Sequence, residues 1–319
     1  MSTAPDQATK QRTMPDAQVA SMFNPFDTGP YFEVESTSVG ARYAISVALP
    51  AGYDPGDGPY PVLYVADGNI LGPLSSGVTF AMFLRESIVR CRPFVQVNIG
   101  YPPEDAAQML VIRNRDLVPP GEPIAPELYP YIAAYLGIDR GLAPQGYVDA
   151  FFESAANGHG DNFLAFIEHE LHPRIEEQFN VDRDDIGFFG YSYGGLLSLY
   201  ALCGGSRFFA KVGAGSPAVT TDHSVVLPMY GRLLDSAPEP ADTHLHLSIN
   251  IEEMEGAEAF YRKLGLGALR FLDMVKSDPL PGLTVTSEMI PGQDHEAGFV
   301  DAYRSFVRHA YAQSPSVTA

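Results

Sequence analysis

Cysteine is scarce in this sequence, because its 319 residues include only Cys91 and Cys203. Neither cysteine has a second one at the spacing of a zinc site, and two cysteines are too few for a disulfide-stapled scaffold. We therefore expect both side chains to be buried thiols of a protein that works in a reducing compartment.

Basic residues are also few: 20 lysines and arginines stand against 39 aspartates and glutamates, which gives a formal net charge of -19. Nucleic acids and anionic lipid surfaces are bound by clustered lysine and arginine side chains, which this balance disfavours. The charge therefore predicts neither a nucleic-acid partner nor a membrane partner.

Long apolar runs are missing as well. No stretch approaches the roughly 18 apolar residues of a membrane span, and the first twenty residues lack the apolar core of a signal peptide. We expect a cytoplasmic protein with flexible tails at residues 1–30 and 314–319. Hydrophobic residues make up 45% of the chain and charged residues 18%, an ordinary globular balance that predicts one large domain over residues 31–313.

Short β-rich runs alternate with helical patterns through most of the chain. Such alternation predicts an α/β fold with a mostly parallel twisted sheet and helices on both faces. A turn rich in Gly, Pro and Asp at residues 50–61 follows the first run, so we expect the opening strands to pair as an antiparallel hairpin. The seven runs are ARYAISVAL, PVLYVAD, FVQVNIG, IGFFG, KVGAG, LHLSINI and LTVTSEMI.

Three segments have helical patterns. Residues 161–179 form an amphipathic helix by spacing, and Pro173 within it predicts a kink because proline removes one backbone hydrogen bond. The other two helices are predicted in GLLSLYAL, after residue 193, and in GFVDAYRSFVRHAY near the C-terminal end. The apolar positions of the first helix are Leu164, Ile167, Leu171 and Ile175.

Residues 117–160 interrupt the alternation with a stretch rich in proline, glycine and aromatic residues. A loop of this length within a compact domain is more often functional than a linker. Its aromatic side chains are too apolar to lie exposed, so the segment is predicted to fold as a lid. We expect Tyr135 and Phe152 to line a substrate pocket, the alternative being a lid that only stabilises the domain. The six aromatic residues considered are Tyr129, Tyr131, Tyr135, Tyr147, Phe151 and Phe152.

The segment 190–194, Gly-Tyr-Ser-Tyr-Gly, is the single Gly-x-Ser-x-Gly pattern in the chain. It follows a predicted strand and precedes a predicted helix, which is the setting of a nucleophile elbow. Glycine is expected on both flanks because a Cβ there would clash. The pattern predicts Ser192 as a nucleophile, the backbone N–H of Tyr193 as a donor to an oxyanion, and Tyr191 as a substrate contact. The alternative is a serine that merely begins a helix at a tight turn.

A serine hydroxyl needs a base to accept its proton and a carboxylate to orient that base. His295 fits the first role, because it lies in a loop between the last predicted strand and the last helix, although it could be an ordinary surface histidine. The chain order serine, acid, histidine places the acid after LHLSINI, where Glu252, Glu253 and Glu255 are candidates. At least two of these three glutamates are expected to be exposed to solvent and to have no catalytic role.

Four other histidines are candidate metal ligands. His169 and His172 lie on the amphipathic helix, and His244 and His246 alternate on one face of a strand. A His-x-His pair can bind a metal, but no third ligand is evident beside it. The sequence therefore predicts no metal site.

Several motifs in combination resemble the esterase D-like esterases of the α/β-hydrolase fold, and among them the siderophore esterases that act on enterobactin-type trilactones. The resemblance spans residues 42–310. It rests on YPVLYVADGN, VNIGY, RNRDLVP, FLAFIEHELHPRIEEQF, FGYSYGGLLSLYAL and GQDHEAGF.

This resemblance implies further site residues. The acid falls three residues beyond the end of its strand, at Glu253, with Glu252 as the second choice because this chain has Asn250 where the family usually has glycine. Some siderophore esterases of this kind work with a serine–histidine dyad alone. A second oxyanion donor is implied at the backbone N–H of Asn69, within an Asp-Gly-Asn sequence that is also common turn chemistry.

By the same likeness, Arg113 and Arg115 in RNRDLVP contact polar groups of a substrate, the alternative being an Arg–Asp pair that holds the loop. We expect a serine esterase that hydrolyses a carboxylic ester or lactone through an acyl-enzyme, without a cofactor. Its expected partner is a small-molecule ester, either a siderophore-type trilactone or a bulky aromatic ester. The alternatives are an acyltransferase with the same machinery and a non-catalytic binding protein on a hydrolase scaffold.

Overall fold

The computed structural model describes residues 29–50, 52–83, 91–137, 145–220 and 222–313. Residues 1–28 and 314–319, which make up nearly all of the two predicted tails, lie outside this set. Within the described residues, eight strands form one sheet in the order β1-β2-β4-β3-β5-β6-β7-β8. The strands are β1 (Tyr31–Ser36), β2 (Ala41–Ala48), β3 (Tyr60–Val65), β4 (Val95–Gly100), β5 (Val181–Tyr191), β6 (Lys211–Gly215), β7 (Thr243–Asn250) and β8 (Leu283–Ile290).

Helices cover both faces of this sheet, as the alternating sequence pattern predicts. None of those in the described residues is at once long enough and apolar enough to span a bilayer. The helices are α1 (Leu71–Phe83), α2 (Met109–Leu117), α3 (Leu128–Tyr135), α4 (Gln145–Ala156), α5 (Gly160–Phe166), α6 (His172–Gln178), α7 (Tyr193–Cys203), α8 (Val226–Asp235), α9 (Ile251–Glu255), α10 (Ala259–Ser277) and α11 (Phe299–Ala310).

The opening hairpin does not have the partners that the sequence suggested. β2 pairs antiparallel with β1 and with β4, whereas β3 runs parallel to β4 and β5. β3 is buried at five of its six positions, so it must lie inside the sheet with both faces covered. β1 alternates exposed and buried positions, as an edge strand does. It was not predicted, because Glu33 and Glu35 interrupt its apolar residues.

The amphipathic helix predicted over residues 161–179 is interrupted, as Pro173 indicates. α5 ends at Phe166, a π-helical turn spans Ile167–Leu171, and α6 begins at His172 with the proline in its first turn. Proline is tolerated there because the first turn of a helix leaves its N–H groups unpaired within the helix.

The core has one layer on each side of the sheet. α1 and α11 cover one face, and α5, α7 and α10 are among the helices that cover the other. On the first face, Phe306 of α11 is fully buried and its ring stacks on Phe189 of β5. A Cβ at Gly213 of β6 would lie only 2.6 Å from this ring, so glycine lets the helix approach the sheet. Both cysteines are buried and unpaired, as expected.

Buried ionisable side chains lie within these layers. His246 of β7 bonds the hydroxyls of Thr286 and Ser305 through its two ring nitrogens, at 2.8 Å each. Burial lowers the pKa of His246 to about 3 and that of neighbouring His244 to about 4. In the segment before α3, burial raises the pKa of the Glu122 carboxyl to about 7.

Replacing Phe306 by alanine tests the contribution of the α11 face. We expect the free energy of unfolding to fall by about 3–5 kcal/mol, because the large ring leaves a cavity that the sheet cannot fill. Leu266→Ala is the matched control, since this leucine on α10 is 54% exposed and its loss should change stability by only about 0.5 kcal/mol. Urea unfolding followed by circular dichroism measures both, and equal losses would contradict the packing described.

Candidate active site

Ser192 lies at the sharp turn between β5 and α7. Its backbone adopts φ 58° and ψ -117°, a conformation that L-residues rarely hold and that marks local strain. A Cβ at Gly190 would lie 2.2 Å from the backbone of Gly194, so glycine is obligatory at that position. At Gly194 itself the nearest atom is 3.6 Å away, which is an ordinary contact. The expectation that both flanking glycines avoid a clash is therefore wrong for Gly194.

The neighbouring strand holds this turn in place. The Ser192 N–H donates to the carbonyl of Gly215 at the end of β6, and the Ser192 carbonyl accepts from the N–H groups of Leu196 and Ala218. A Cβ at Gly195 would lie 2.7 Å from the same Gly215 carbonyl. The second close approach thus occurs at Gly195, where α7 starts against β6.

Three side chains from three loops meet at this edge of the sheet. His295, between β8 and α11, places Nε2 3.0 Å from Ser192 Oγ and Nδ1 2.8 Å from Glu253 Oε1. The two ring nitrogens of a neutral imidazole are one donor and one acceptor. A proton on Nδ1, donated to the carboxylate, leaves Nε2 free to accept the serine proton.

Glu253 lies on α9, three residues beyond the end of β7, and is 1% exposed. Its neighbour Glu252 is exposed, so the structure brings only the first of the two candidates to the imidazole. The amide nitrogen of buried Asn250 donates to Glu253 Oε1 at 3.0 Å and to the Tyr191 hydroxyl at 2.6 Å. Asn250, which stands where the family usually has glycine, therefore orients the carboxylate.

Two tyrosine rings lie against His295. The Tyr261 ring is nearly parallel to the imidazole, with centroids 4.8 Å apart, and the Tyr191 ring lies 5.1 Å away. The Tyr191 hydroxyl donates to the His295 carbonyl at 2.7 Å. Tyr191 lines the cavity, but its bonds are to the loop of His295 and to Asn250, so it holds the His295 loop in place.

The two proposed oxyanion donors lie on the two sides of the turn. Tyr193 begins α7, and the N–H groups of a first helical turn have no acceptor inside the helix. The side-chain amide of Asn69 pairs with both backbone groups of Tyr101, at 2.6 and 2.8 Å, which fixes the loop after β3. A Cβ at Gly194 would lie 3.7 Å from Asp67 Oδ2, so this loop adjoins the elbow.

The two arginines of RNRDLVP have different positions. Arg113 lines the cavity and forms two 2.7 Å bonds to the carboxylate of Asp67, and its guanidinium lies over the Tyr193 ring. Arg115 bonds Asp116 at 2.6 and 3.0 Å and is not among the described residues that line the cavity. The structure therefore shows the alternative for Arg115, an Arg–Asp pair that holds the loop.

A cavity of about 250 Å³ opens onto Ser192 and His295. The predicted lid contributes to its wall through α3 and α4. Tyr135 lines the cavity, as expected, but Phe152 does not, and Phe151 takes the position instead. Consecutive residues of a helix point about 100° apart, so Phe151 faces inward while Phe152 packs on Tyr129 with ring centroids 5.0 Å apart.

Sequence reasoning missed a cluster beside the histidine. Glu296 Oε1 accepts hydrogen bonds from the hydroxyls of Tyr131 on α3 and Tyr261 on α10, and these two hydroxyl oxygens lie in contact with one another. All three residues line the cavity. Glu296 follows His295 directly, which was the available signal, but only the fold brings the two tyrosines to it.

The structure also places two potential ligands, Glu288 and His309, beside His246 of the His-x-His pair. Ligand atoms of His246, Glu288 and His309 lie within 4.8 Å of one another, on the α11 side of the sheet. Both ring nitrogens of His246 already bond hydroxyls, and Glu288 bonds Arg308 at 2.5 Å. These contacts occupy much of the donor set that a metal would need.

Comparisons with known proteins find one matching family and several relatives with known names. The family described as "Putative esterase" matches residues 131–258. The ferri-bacillibactin esterase BesA of Bacillus subtilis is 29% identical over 205 residues, 61% of this chain and 63% of the relative. The apo-salmochelin esterase of Escherichia coli is 26% identical over 215 residues, 66% of this chain and 57% of the relative. The chain thus spans a little under two thirds of these curated relatives.

Solved structures share the fold over a larger part of the chain. The BES protein of Bacillus cereus has a TM-score of 0.68 at 22% identity and covers 88% of this chain and 95% of its own. The siderophore hydrolase EstB of Aspergillus nidulans has a TM-score of 0.70 at 20% identity, with 90% and 96% covered. The eight-stranded sheet therefore has the α/β-hydrolase-like fold of these hydrolase structures, and residues 131–258 of the chain are similar to the "Putative esterase" family.

Proposed function

We propose that this protein is a serine esterase that hydrolyses a carboxylic ester or lactone through an acyl-enzyme. The observation that carries the proposal is the continuous hydrogen-bonded chain Ser192–His295–Glu253, with links of 3.0 and 2.8 Å. Nucleophile, base and orienting acid at these distances form the arrangement that activates a serine hydroxyl.

In the proposed reaction, His295 Nε2 accepts the proton of Ser192 as Oγ bonds to the carbonyl carbon. The oxyanion that forms accepts hydrogen bonds from the backbone N–H groups of Tyr193 and Asn69. The imidazolium returns its proton to the leaving alcohol as the ester bond breaks. Water then attacks the acyl-enzyme with His295 again as the base, which releases the acid and restores Ser192.

We propose that Glu253 is the acid of a complete triad. The alternative is a serine–histidine dyad in which Glu253 has no catalytic role. Its carboxylate is almost fully buried, so the imidazolium that forms during the reaction lies beside an unscreened negative charge. The second oxygen, Oε2, has no hydrogen-bond partner among the described residues. The charge of Glu253 is thus directed mainly at Asn250 and the histidine.

The proposed substrate is a bulky ester or lactone, with a siderophore-type trilactone as the specific candidate. The curated relatives named above are esterases of siderophores, which supports the trilactone. The cavity wall supports a bulky group in more general terms, because most of its side chains are aromatic or aliphatic.

Ser192→Ala should abolish hydrolysis of p-nitrophenyl butyrate and labelling by a fluorophosphonate probe. We expect kcat/KM to fall on the order of 10⁴-fold or more, because the remaining residues cannot form an acyl-enzyme. The melting temperature should hardly change, since a single hydroxyl is lost. Ser236→Ala, an exposed serine after α8, is the control. Retained turnover in Ser192→Ala would remove this residue from the role of nucleophile.

Comparing Glu253→Gln with Glu252→Gln separates the acid from its exposed neighbour. The amide keeps the shape of the side chain but cannot stabilise an imidazolium. We expect kcat to fall roughly 10²- to 10⁴-fold for Glu253→Gln and less than twofold for Glu252→Gln. Steady-state kinetics with p-nitrophenyl butyrate measures both, and near wild-type rates in the two variants would instead indicate a dyad.

Tyr135 and Phe152 form a second matched pair, because only the tyrosine lines the cavity. Tyr135→Ala should raise KM for a bulky aromatic ester about fivefold and leave KM for an acetyl ester nearly unchanged, since a small ester contacts little of the wall. Phe152→Ala should mainly lower the melting temperature. Equal effects of Tyr135→Ala on both esters would contradict a substrate-lining lid.

A further inference from the structure

The loop after β3, which contains one of the two proposed oxyanion donors, has an unusual backbone conformation. Asp67, two residues before Asn69, has φ 56°, a left-handed value that residues other than glycine rarely adopt. The next residue is tightly packed, because a Cβ at Gly68 would lie 2.8 Å from the backbone of Ile99 on β4. A conformation of this kind persists only where the surrounding contacts hold it.

Backbone hydrogen bonds connect Asn69 to this strained residue on both sides. The N–H of Gly68 donates to a carbonyl at the end of β4, at 2.7 Å. The N–H groups of Ile70 and Leu71 donate to the carbonyl of Asp67, at 2.9 and 2.8 Å. A rotation of the Asp67 backbone would therefore move the whole turn, and the N–H of Asn69 with it.

The side chain of Arg113, on α2, contacts both sides of the proposed oxyanion hole. Its Nε and Nη2 atoms donate to the two carboxylate oxygens of Asp67, at 2.7 Å each. Its guanidinium carbon also lies 5.9 Å from the centre of the Tyr193 ring, and Tyr193 carries the other proposed donor. One rigid, planar group thus joins the loop after β3 to the start of α7.

The ion pair between Arg113 and Asp67 is well shielded from solvent, because the two side chains are 12% and 5% exposed. Burial lowers the pKa of Arg113, but the Asp67 carboxylate raises it by more, so the pair stays ionised. Two charged hydrogen bonds in this fork geometry fix the orientation of both partners. The guanidinium is thus better suited to hold the loop than to bind a second anion.

Resting on the proposed esterase function, we propose that Arg113 and Asp67 are positioning residues for the oxyanion hole. The pair fixes the loop after β3 against α2, and the same guanidinium packs on the start of α7. Together these contacts hold the backbone N–H groups of Asn69 and Tyr193 at the separation that an oxyanion needs. Because the oxyanion forms only as the ester reacts, the pair speeds the reaction without tightening the binding of the unreacted ester.

Asp67→Asn tests the proposal by the sign of its effect. Asparagine has the same shape and tolerates the left-handed backbone equally well, but it cannot form the charged pair. We expect kcat for p-nitrophenyl butyrate to fall about 10- to 100-fold, with KM changed by about twofold or less. If Arg113 instead stabilised the oxyanion by its own charge, the freed guanidinium would raise kcat. An unchanged or raised kcat would therefore overturn the proposal.

Arg113→Gln should lower kcat to a similar extent, because the amide cannot reproduce the fork geometry. Arg115→Gln is the matched control, since it removes the same charge from an Arg–Asp pair on the same helix. That pair has bonds of 2.6 and 3.0 Å, and Arg115 is not among the described residues that line the cavity. Its kcat should stay within about twofold of the wild-type value. Equal losses in the two variants would contradict a specific role of Arg113.

A boronic acid separates positioning of the donors from a merely structural role. Ser192 Oγ adds to the boron of 1-butaneboronic acid as the serine proton passes to His295, and the tetrahedral anion that forms resembles the reaction intermediate. We expect its inhibition constant to rise about tenfold or more in Asp67→Asn and Arg113→Gln. Inhibition as strong as in the wild-type protein, together with a lower melting temperature, would indicate a role in stability alone.

The double variant Asp67→Asn/Arg113→Gln covers the case in which a single variant fails to fold. It leaves no buried charge without a partner, and circular dichroism checks its fold. Because the two residues act through one contact, its kcat should lie within about threefold of the more impaired single variant. Losses that multiply would show two independent roles and overturn the proposal, as would a folded double variant with wild-type kcat.

The outcomes distinguish this proposal from the esterase proposal. If the wild-type protein hydrolyses p-nitrophenyl butyrate but Asp67→Asn keeps or raises kcat, the positioning role is wrong and the esterase proposal stands. If the wild-type protein hydrolyses no ester and Ser192 is not labelled by a fluorophosphonate, the esterase proposal fails and the positioning role fails with it.

Discussion

The strained backbone of Ser192 is the constraint on which the site depends. A residue at φ 58° persists only if its surroundings fix it, and here a hydrogen bond to Gly215 and two close glycine contacts do so. These contacts require α7 to lie directly against β6. Because β5, β6, β7 and β8 are parallel neighbours, the loops after them open at one edge of the sheet. Glu253 and His295 reach the serine from two of those loops.

Local sequence was enough to predict that Ser192 and His295 meet, because each lies in a short segment with a strong pattern. One pattern is Gly-x-Ser-x-Gly between a strand and a helix, and the other is a histidine in the loop before the last helix. Each pattern consists of contiguous residues. Glu253 was different, since spacing alone left three glutamates open and only the family likeness favoured one. Burial decides between them, and burial belongs to the fold: Glu253 is 1% exposed whereas Glu252 is exposed.

The errors have a common physical origin in contacts between distant segments. Whether Phe151 or Phe152 faces the cavity depends on how α4 is rotated about its axis. Two adjacent aromatic residues in the sequence do not indicate that rotation. β2 pairs with β4, and β3 lies between β4 and β5, an order that depends on the packing of the whole sheet. The cluster of Tyr131, Tyr261 and Glu296 joins residues up to 165 positions apart. No local pattern could have predicted it.

That cluster also links the lid to the base. Tyr131 belongs to α3, while Tyr261 packs on the His295 ring and Glu296 is the next residue in the same loop. A displacement of α3 would therefore remove a donor from Glu296 and alter the surroundings of the imidazole. Tyr261 therefore contacts both parts of the site: its ring packs on His295, and its hydroxyl bonds the Glu296 carboxylate that Tyr131 also bonds.

Burial of His244, His246 and Glu122 makes the stability of the folded state depend on pH. His244 and His246 have pKa values of about 4 and 3 in the folded chain, against 6.5 when exposed, so below pH 6.5 the unfolded chain binds protons that the folded chain excludes. This lowers stability as the pH falls. Glu122, with a pKa of about 7 against 4.5, does the reverse, because between these values the folded chain keeps a proton that the unfolded chain releases. Between pH 4.5 and 6.5 the two effects oppose one another, so the contributions of these three groups to the pH dependence of stability partly cancel.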